Sequence, residues 1–389
     1  MKEGWVKKKL GEVCETSSGG TPTKSRSEFY ENGNIPWLRS GELNKKYILD
    51  SELHITELGM EKSSAKLFPI NTVVIAMYGA TVGQVSILKK EMTTNQAICG
   101  ILPNKTSTPE YLYYFLKSKK DAFVKDAVGG AQPNISQNLI KSTYLLYPPL
   151  PEQQQIVAEL DCLQGIIDKK KEQLQELDKL AQSIFYTMFG DPVENEKGWK
   201  KCSLNKLCTI TSSKRIFASE YTTLGIPFYR GKEISEKAFS KEVTTELFIS
   251  EDRYKELKEK FGVPQTGDIL LTAVGTIGNM WVVDNKEPFY YKDGNILCLH
   301  INDNINSIYF KSLLSILINE YKKTNANGCA YNALTIVNLK KMQTNIIPLP
   351  LQQEFADKIS AIEQQKARIQ QSLQDTETLF QSRMDYYFG

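Results

Sequence analysis

The feature that most restricts the fold is a run of about forty residues, PEQQQIVAELDCLQGIIDKKKEQLQELDKLAQSIFYTMFG, at 151–190. Its apolar residues Ile156, Leu160, Leu163, Ile167, Leu174, Leu177, Ala181, Ile184 and Met188 alternate steps of four and three, with Lys170 at the one polar seam position. A heptad seam of this length predicts one long helix that must pair with another helix. Pro149 and Pro151 precede it, Glu152 puts a negative charge near its start, and Gly190-Asp191-Pro192 stops it. At 1.5 Å per residue such a helix is roughly 55 Å long.

A partner lies in the same chain. The run recurs without a gap at 351–389, shifted by 199 residues. Pro149, Pro151, Gln153 and Gln154 match Pro348, Pro350, Gln352 and Gln353; Leu174, Leu180, Gln182, Ser183, Phe189 and Gly190 match Leu373, Leu379, Gln381, Ser382, Phe388 and Gly389. In the second copy Ile359, Ile362, Ile369 and Leu373 continue the seam, while Lys366, Thr376 and Arg383 interrupt it. Polar seam residues cost stability and fix register.

The intervening segments repeat more loosely. IPWLRSGEL (35–43) echoes IPFYRGKEI (226–234), NTVVIAMYGATVGQVSIL (71–88) echoes GDILLTAVGTIGNMWVV (267–283), and GGAQPNISQNLIKS (129–142) echoes NGCAYNALTIVNLKK (327–341). β-Branched and aromatic runs at 73–78, 84–88, 97–102 and 143–147 predict strands, and 109–124 and 306–321 predict amphipathic helices. The glycine pairs 79/83 and 275/278 mark tight turns. The expected architecture is α+β: a unit of about 150 residues used twice, with boundaries 1–150, 151–190, 191–350 and 351–389 for unit, helix, unit and helix.

Composition narrows the function. The 389 residues carry a net charge of +3, unevenly placed: 1–150 holds 19 Lys/Arg against 14 Asp/Glu and 191–350 holds 21 against 18, whereas both helical runs are acidic. Basic globular parts suit a polyanion. No apolar run reaches membrane-span length, and the opening MKEGWVKKKLGE lacks a signal-peptide core, so a cytoplasmic protein without a membrane partner is expected. Seven cysteines (14, 99, 162, 202, 208, 298 and 329) without a CxxC pair are expected as free thiols. With His54 and His300 the only histidines, no metal site is expected and His-based catalysis has little to draw on. There is no GxxxxGK[ST] loop, no GxGxxG after a strand, and no Asn/Asp-Pro-Pro-Tyr/Phe. No catalytic residue is assigned.

Binding features are better represented. Lys24, Arg26, Arg39, Lys45 and Lys46 in the first unit, and Lys214, Arg215, Arg230 and Lys232 in the second, fall in segments that read as loops. Lys and Arg hold phosphates, and Arg, Asn and Gln read base edges. Gln132 and Asn134 in GGAQPNIS, with Tyr331 and Asn332 in its counterpart, complete the candidates. Because both units share Arg39 and Arg230, these two are also candidates for bracing the fold.

Two globular units, each followed by a PxPxxQQ-opened long helix, resemble the specificity (S) subunit of type I restriction–modification enzymes across essentially the whole chain. IPWLRSGEL, GATVG, GGAQPNISQ, LYPPLPEQQQI and IIPLPLQQEF carry the resemblance. It implies two target recognition domains, each reading half of a bipartite, asymmetric double-stranded DNA site. It also implies antiparallel coiled-coil spacer helices that dock two methyltransferase subunits, with restriction subunits as further partners. On this reading the chain is non-catalytic and needs no cofactor; S-adenosylmethionine, ATP and Mg belong to its partners. The subunit-docking and coiled-coil residues are then Ile156, Leu160, Leu163, Ile167, Leu174, Leu177, Ile359, Ile362, Ile369 and Leu373. An insertion of one or two helical turns within 165–175 is expected to lengthen the unread spacer, and discrimination is expected where the units diverge, near 20–34, 44–66, 211–225 and 235–262. The alternative is a coiled-coil scaffold with no DNA role, which a salt-independent affinity would reveal.

Overall fold

The computed structural model describes residues 4–127, 134–239, 241–284, 287–325 and 333–389. It divides into two units, residues 1–172 with 370–389 and residues 173–369. Both heptad runs are single helices of 40 residues, Leu150–Phe189 and Leu349–Phe388. Each begins one residue before its second proline, so Pro151 and Pro350 sit inside the first turn, where a missing N–H removes no intrahelical bond. Gly190 ends the first helix in the left-handed region (φ +72°), its N–H donating to Tyr186 O at 2.8 Å. Among the described residues no helix is long and apolar enough to cross a membrane.

The first unit is built on a five-stranded sheet in the order Thr16–Ser18, Ile98–Ile101, Val73–Ala76, Val85–Leu88 and Tyr47–Ile48. Its pairs are antiparallel except the last. Its central strands are buried at every position because both faces are covered, and the one polar residue in them, Ser86, donates to Lys45 O. Val73, Ile75, Ile87, Cys99 and Ile101 face a core shared with the helix Pro109–Ser118. Val74, Ala76, Leu88 and Ile98 face a second core with Leu38, Phe68 and Met92. That second core is closed by a small sheet, His54–Ile55, Ile35–Leu38, Met92–Thr94 and Leu67–Phe68, with Trp37 parallel to Thr93. Thr108 caps the helix by accepting from Tyr111 N, and Pro109 starts it. The apolar segment 109–124 does not run through as one helix: it breaks at Lys119 and resumes as Lys120–Asp126.

The second unit repeats the plan. Cys208–Ser212, Ile296–Ile301, Ile269–Thr272 and Met280–Val282 form an antiparallel sheet in that order, packed on one face against the helix Ser307–Asn325. A small sheet again carries one parallel pair, Phe228 with Tyr290. All four turn glycines have positive φ: +71° and +78° at Gly79 and Gly83, +77° and +97° at Gly275 and Gly278. The units differ beyond the second sheet strand of the hairpin. The first unit adds the strand Tyr47–Ile48; the second packs the helix Gly231–Ala238 against Ile269–Thr272 and Met280–Val282.

The first glutamine of each PxPxxQQ run is an internal fastener. Gln153 is fully buried; its Oε1 accepts from Thr108 N at 2.9 Å, and its Nε2 donates to Thr106 O and Pro148 O at 2.8 and 2.9 Å. Gln352 is 1% exposed, accepting from Asn306 N at 2.9 Å and donating to Ile347 O at 2.8 Å. Each ties the start of a long helix to the start of the amphipathic helix of its own unit. A buried amide must be satisfied in this way or cost free energy.

Candidate DNA interface and helical seam

In the first unit the candidate loops leave from one place. Gly20 N donates to Thr94 O and Asn95 N to Leu38 O, both at 2.9 Å, and Met77 N donates to Ala97 O at 2.8 Å. Residues 94–97 therefore join the start of the Lys24–Arg26 loop, the strand end before Arg39, and the glycine turn. The loop is held from below. Trp37 Nε1 donates to Gly20 O at 2.9 Å, Tyr30 OH to Pro22 O at 2.6 Å, and Phe29 is buried. A side chain at Gly19 would collide with Thr94, and one at Gly20 with the Ser64–Ala65 backbone. Lys24 and Arg26 stay exposed on this pinned base, with Arg26 3.7 Å from Glu28 and over the Phe29 ring. Asn134, exposed, bridges to Tyr78 beside the glycine turn.

The second unit copies the junction. Ser213 Oγ donates to Tyr291 O at 2.7 Å, Lys292 N to Tyr229 O at 2.9 Å, and Ala273 N to Asn295 O at 2.8 Å. Lys214, Arg215 and Arg230 thus leave from around 291–295. The Lys214 ammonium lies 4.5 Å from the Phe261 ring centroid, and Arg215 is 3.2 Å from Asp293 while 69% exposed. Lys232, on the helix after Arg230, is 60% exposed and 3.7 Å from Glu236. Gln132, Tyr331 and Asn332 lie outside the described residues.

Arg39 and Arg230 brace the fold. Each opens a helical turn: Arg39 N donates to Glu42 Oε1 at 3.0 Å and Arg230 N to Glu233 Oε2 at 2.8 Å. Their guanidiniums turn back on the same carboxylates at 3.3 Å, and Arg39 also meets Glu52. Both side chains remain 42% exposed, so each presents a fixed, part-open guanidinium. Lys46 is directed elsewhere. It pairs with Asp161 on the first long helix and sits among the rings of Tyr47, Tyr113 and Tyr114. Tyr114 donates to the same carboxylate, and burial first, then this bond, pushes its pKa up. Lys45 is exposed, its carbonyl accepting from Ser86 Oγ at 2.7 Å. Three further polar residues sit at the junctions: Thr21 and Gln96, bonded to each other, and Lys292. No local motif marks them; only the strand pairing brings them there.

The seam residues face inward. Ile156, Leu160 and Ile167 are buried in the first unit's core, with Leu163 and Leu373 packed against it. Ile359 and Ile362 are buried in the second unit's core, with Leu177 against it; Leu174 and Ile369 are half-buried. The polar seam positions are answered across the helices. Lys170 Nζ donates to Ser372 O, Ser372 Oγ and Thr376 Oγ1 at 2.7–2.8 Å. Glu159 receives Arg383 and Tyr387 OH, and these hydrogen bonds hold its pKa below the usual carboxylate range against the opposing effect of burial. In the second unit Lys366 lies 2.8 Å from Asp178 and 2.9 Å from Glu363. Burial alone would lower its pKa, but the two carboxylates raise it. The pairing is antiparallel in both units.

A family model described as the type I restriction modification DNA specificity domain matches residues 2–179 and again 196–376. The chain belongs to this family. The Type I restriction enzyme MjaIX specificity subunit of Methanocaldococcus jannaschii is 29% identical over 378 residues, covering 90% of this chain and 85% of that one. The type I restriction–modification S subunit from M. genitalium shares the fold at a TM-score of 0.57 and 16% identity, over 99% of this chain and 96% of its own. A chain solved in work on complex assembly and conformational transition of the type I R-M system matches at a TM-score of 0.60 and 20% identity, over 100% of this chain and 98% of its own. Two tandem copies of the specificity domain account for the internal repeat.

Proposed function

We propose that this specificity subunit reads a bipartite, asymmetric site on double-stranded DNA, one half through each unit, and carries no methyl-transfer or cleavage chemistry itself. The observation that carries the reading is the twinned junction. Residues 94–97 and 291–295 gather basic and amide-bearing loops at equivalent points of two otherwise similar scaffolds. Loops on rigid sheets are where side chains can vary without unfolding the support. Fixed Arg39 and Arg230 suit contacts common to both halves, whereas the exposed Lys24, Arg26, Lys214 and Arg215 belong to divergent segments and suit positioning on each half-site.

Two methyltransferase subunits dock on the long helices, and restriction subunits join where a nuclease partner is present. S-adenosylmethionine, ATP and Mg belong to those subunits, and the assembly works on cytoplasmic DNA. Because the seam is occupied by packing within the chain, docking falls to outward-facing apolar residues of the helices such as Ile166, Leu180 and Leu379, which are 38%, 48% and 49% exposed. Helix length sets the spacer between half-sites.

The test is DNA affinity of the subunit with its methyltransferase partners across salt concentrations. Affinity should fall steeply as salt rises. Lys24→Ala and Lys214→Ala should each lower the slope by about one unit if each holds a phosphate. A salt-independent affinity contradicts the reading.

A further inference from the structure

Three side chains of the second unit's sheet converge next to Tyr291. Asp268 precedes the strand Ile269–Thr272, while Cys298 and His300 alternate on Ile296–Ile301 and so share one face. His300 Nδ1 is 2.8 Å from Asp268 Oδ2; Cys298 Sγ is 3.8 Å from that oxygen and 3.9 Å from His300 Nδ1. Cys298 is fully buried and Asp268 is 7% exposed, but the His300 side chain is 37% exposed and gives the cluster one open side.

The fold does not require this grouping. Ile269 pairs with Leu299 as Val73 pairs with Ile101, so the first unit has Thr72, Gly100 and Leu102 at the matching positions. There the Phe68 ring occupies the space beside Gly100. The cluster is peculiar to the second unit.

We propose that Asp268, Cys298 and His300 bind a divalent transition-metal ion of the zinc type, with water as fourth ligand on the open side. A thiolate, an imidazole and a carboxylate form a donor set that zinc accepts and that magnesium or calcium does not favour. Tetrahedral bonds of about 2.0–2.3 Å place ligand atoms roughly 3.3–3.8 Å apart. Two of the three separations are already at or just above that range. The His300–Asp268 pair must open by roughly half an ångström to admit the ion.

The surroundings hold the ligands as a metal site would need. Thr211 Oγ1 lies 3.1 Å from His300 Nε2, where it would accept the ring N–H once a metal replaced the Nδ1 proton now bonded to Asp268. Gln265 N donates to Asp268 Oδ2 at 2.8 Å and fixes the carboxylate. Binding replaces the Cys298 S–H bond with a sulfur–metal bond and displaces the Nδ1 proton that His300 shares with Asp268. From neutral His300 that proton reappears on Nε2, toward Thr211, so one proton goes to solvent and no electrons are exchanged. The sequence shows no zinc spacing because the third donor is 30 residues from the Cys298–His300 pair.

The experiment is titration of metal-stripped full-length protein with Co²⁺, followed by competition with Zn²⁺. The expected result is one equivalent bound per chain, with a near-ultraviolet thiolate-to-cobalt charge-transfer band that Zn²⁺ removes. Cys298→Ser should abolish the band, while His54→Gln, in the other unit, should leave it intact. His300→Gln changes a part-open side chain and serves if Cys298→Ser fails to fold. It should weaken binding by more than the roughly 10–100-fold that losing an outer-shell partner costs. No thiolate band in the wild type, or a band that survives both substitutions, overturns the proposal.

Discussion

The two units solve the same packing problem with different edges. In each, a buried antiparallel sheet lies between an amphipathic helix and a small mixed sheet, and a buried glutamine fastens the long helix. The first unit completes its sheet with Tyr47–Ile48, while the second covers the corresponding side with Gly231–Ala238. The second also lengthens the short helix Glu57–Glu61 to Glu251–Phe261. The scaffold is common and the decoration is private, the division expected of a duplicated reader whose two targets differ.

The sharpest way to break the equivalence is at the helix ends. Phe388 packs on Tyr111 and Phe115 of the first unit at 5.3 and 6.2 Å between ring centroids. Phe189, its partner in the repeat, packs on Tyr309 and Phe355 of the second at 5.0 and 5.3 Å. Replacing either by alanine should cost about 3–5 kcal/mol in urea unfolding, with Phe189→Ala toward the upper end because its ring cluster is tighter. A neutral Phe388→Ala would show that the two helix ends are not equivalent.

The fasteners should follow, with a smaller effect. Gln153→Leu strands one N–H and two carbonyls, and Gln352→Leu one N–H and one carbonyl, so losses of about 3 and about 2 kcal/mol are expected. The reverse order in matched denaturation curves would mean that water reaches the Gln153 site.

The weakest effect should come from the seam. Glu159 has a lowered folded-state pKa, so its contribution is fully present above the unfolded value of about 4.3 and is lost as pH falls through the folded one. Glu159→Gln should therefore lower neutral-pH stability, only slightly because the pair is part-exposed, and flatten the acid limb by the same amount, leaving stability below the folded pKa unchanged. An unchanged acid limb would remove Glu159 from the account.

Much of this plan was legible in the residues because it rests on periodicity. The heptad seam, the 199-residue repeat, the apolar strands and the paired turn glycines all express local rules. What escaped depends on tertiary pairing. Gln153 reads as a surface residue of an acidic helix until Thr106, Thr108 and Pro148 close around it. Lys46 reads as a loop cation, yet Asp161, 115 residues away, claims it. Arg39 and Arg230 read as shared residues, and Glu42, Glu52 and Glu233 are the carboxylates that hold them. Lys292 and Gln96 reach the junctions only because strands distant in sequence end side by side.

The central claim is that each unit reads its own half of the site. The direct measurement is sequencing of methylated adenines in cells carrying the subunit with residues 1–150 exchanged for those of another family member. One half of the methylated site should change while the other half is kept. A change in both halves, or in neither, would contradict it.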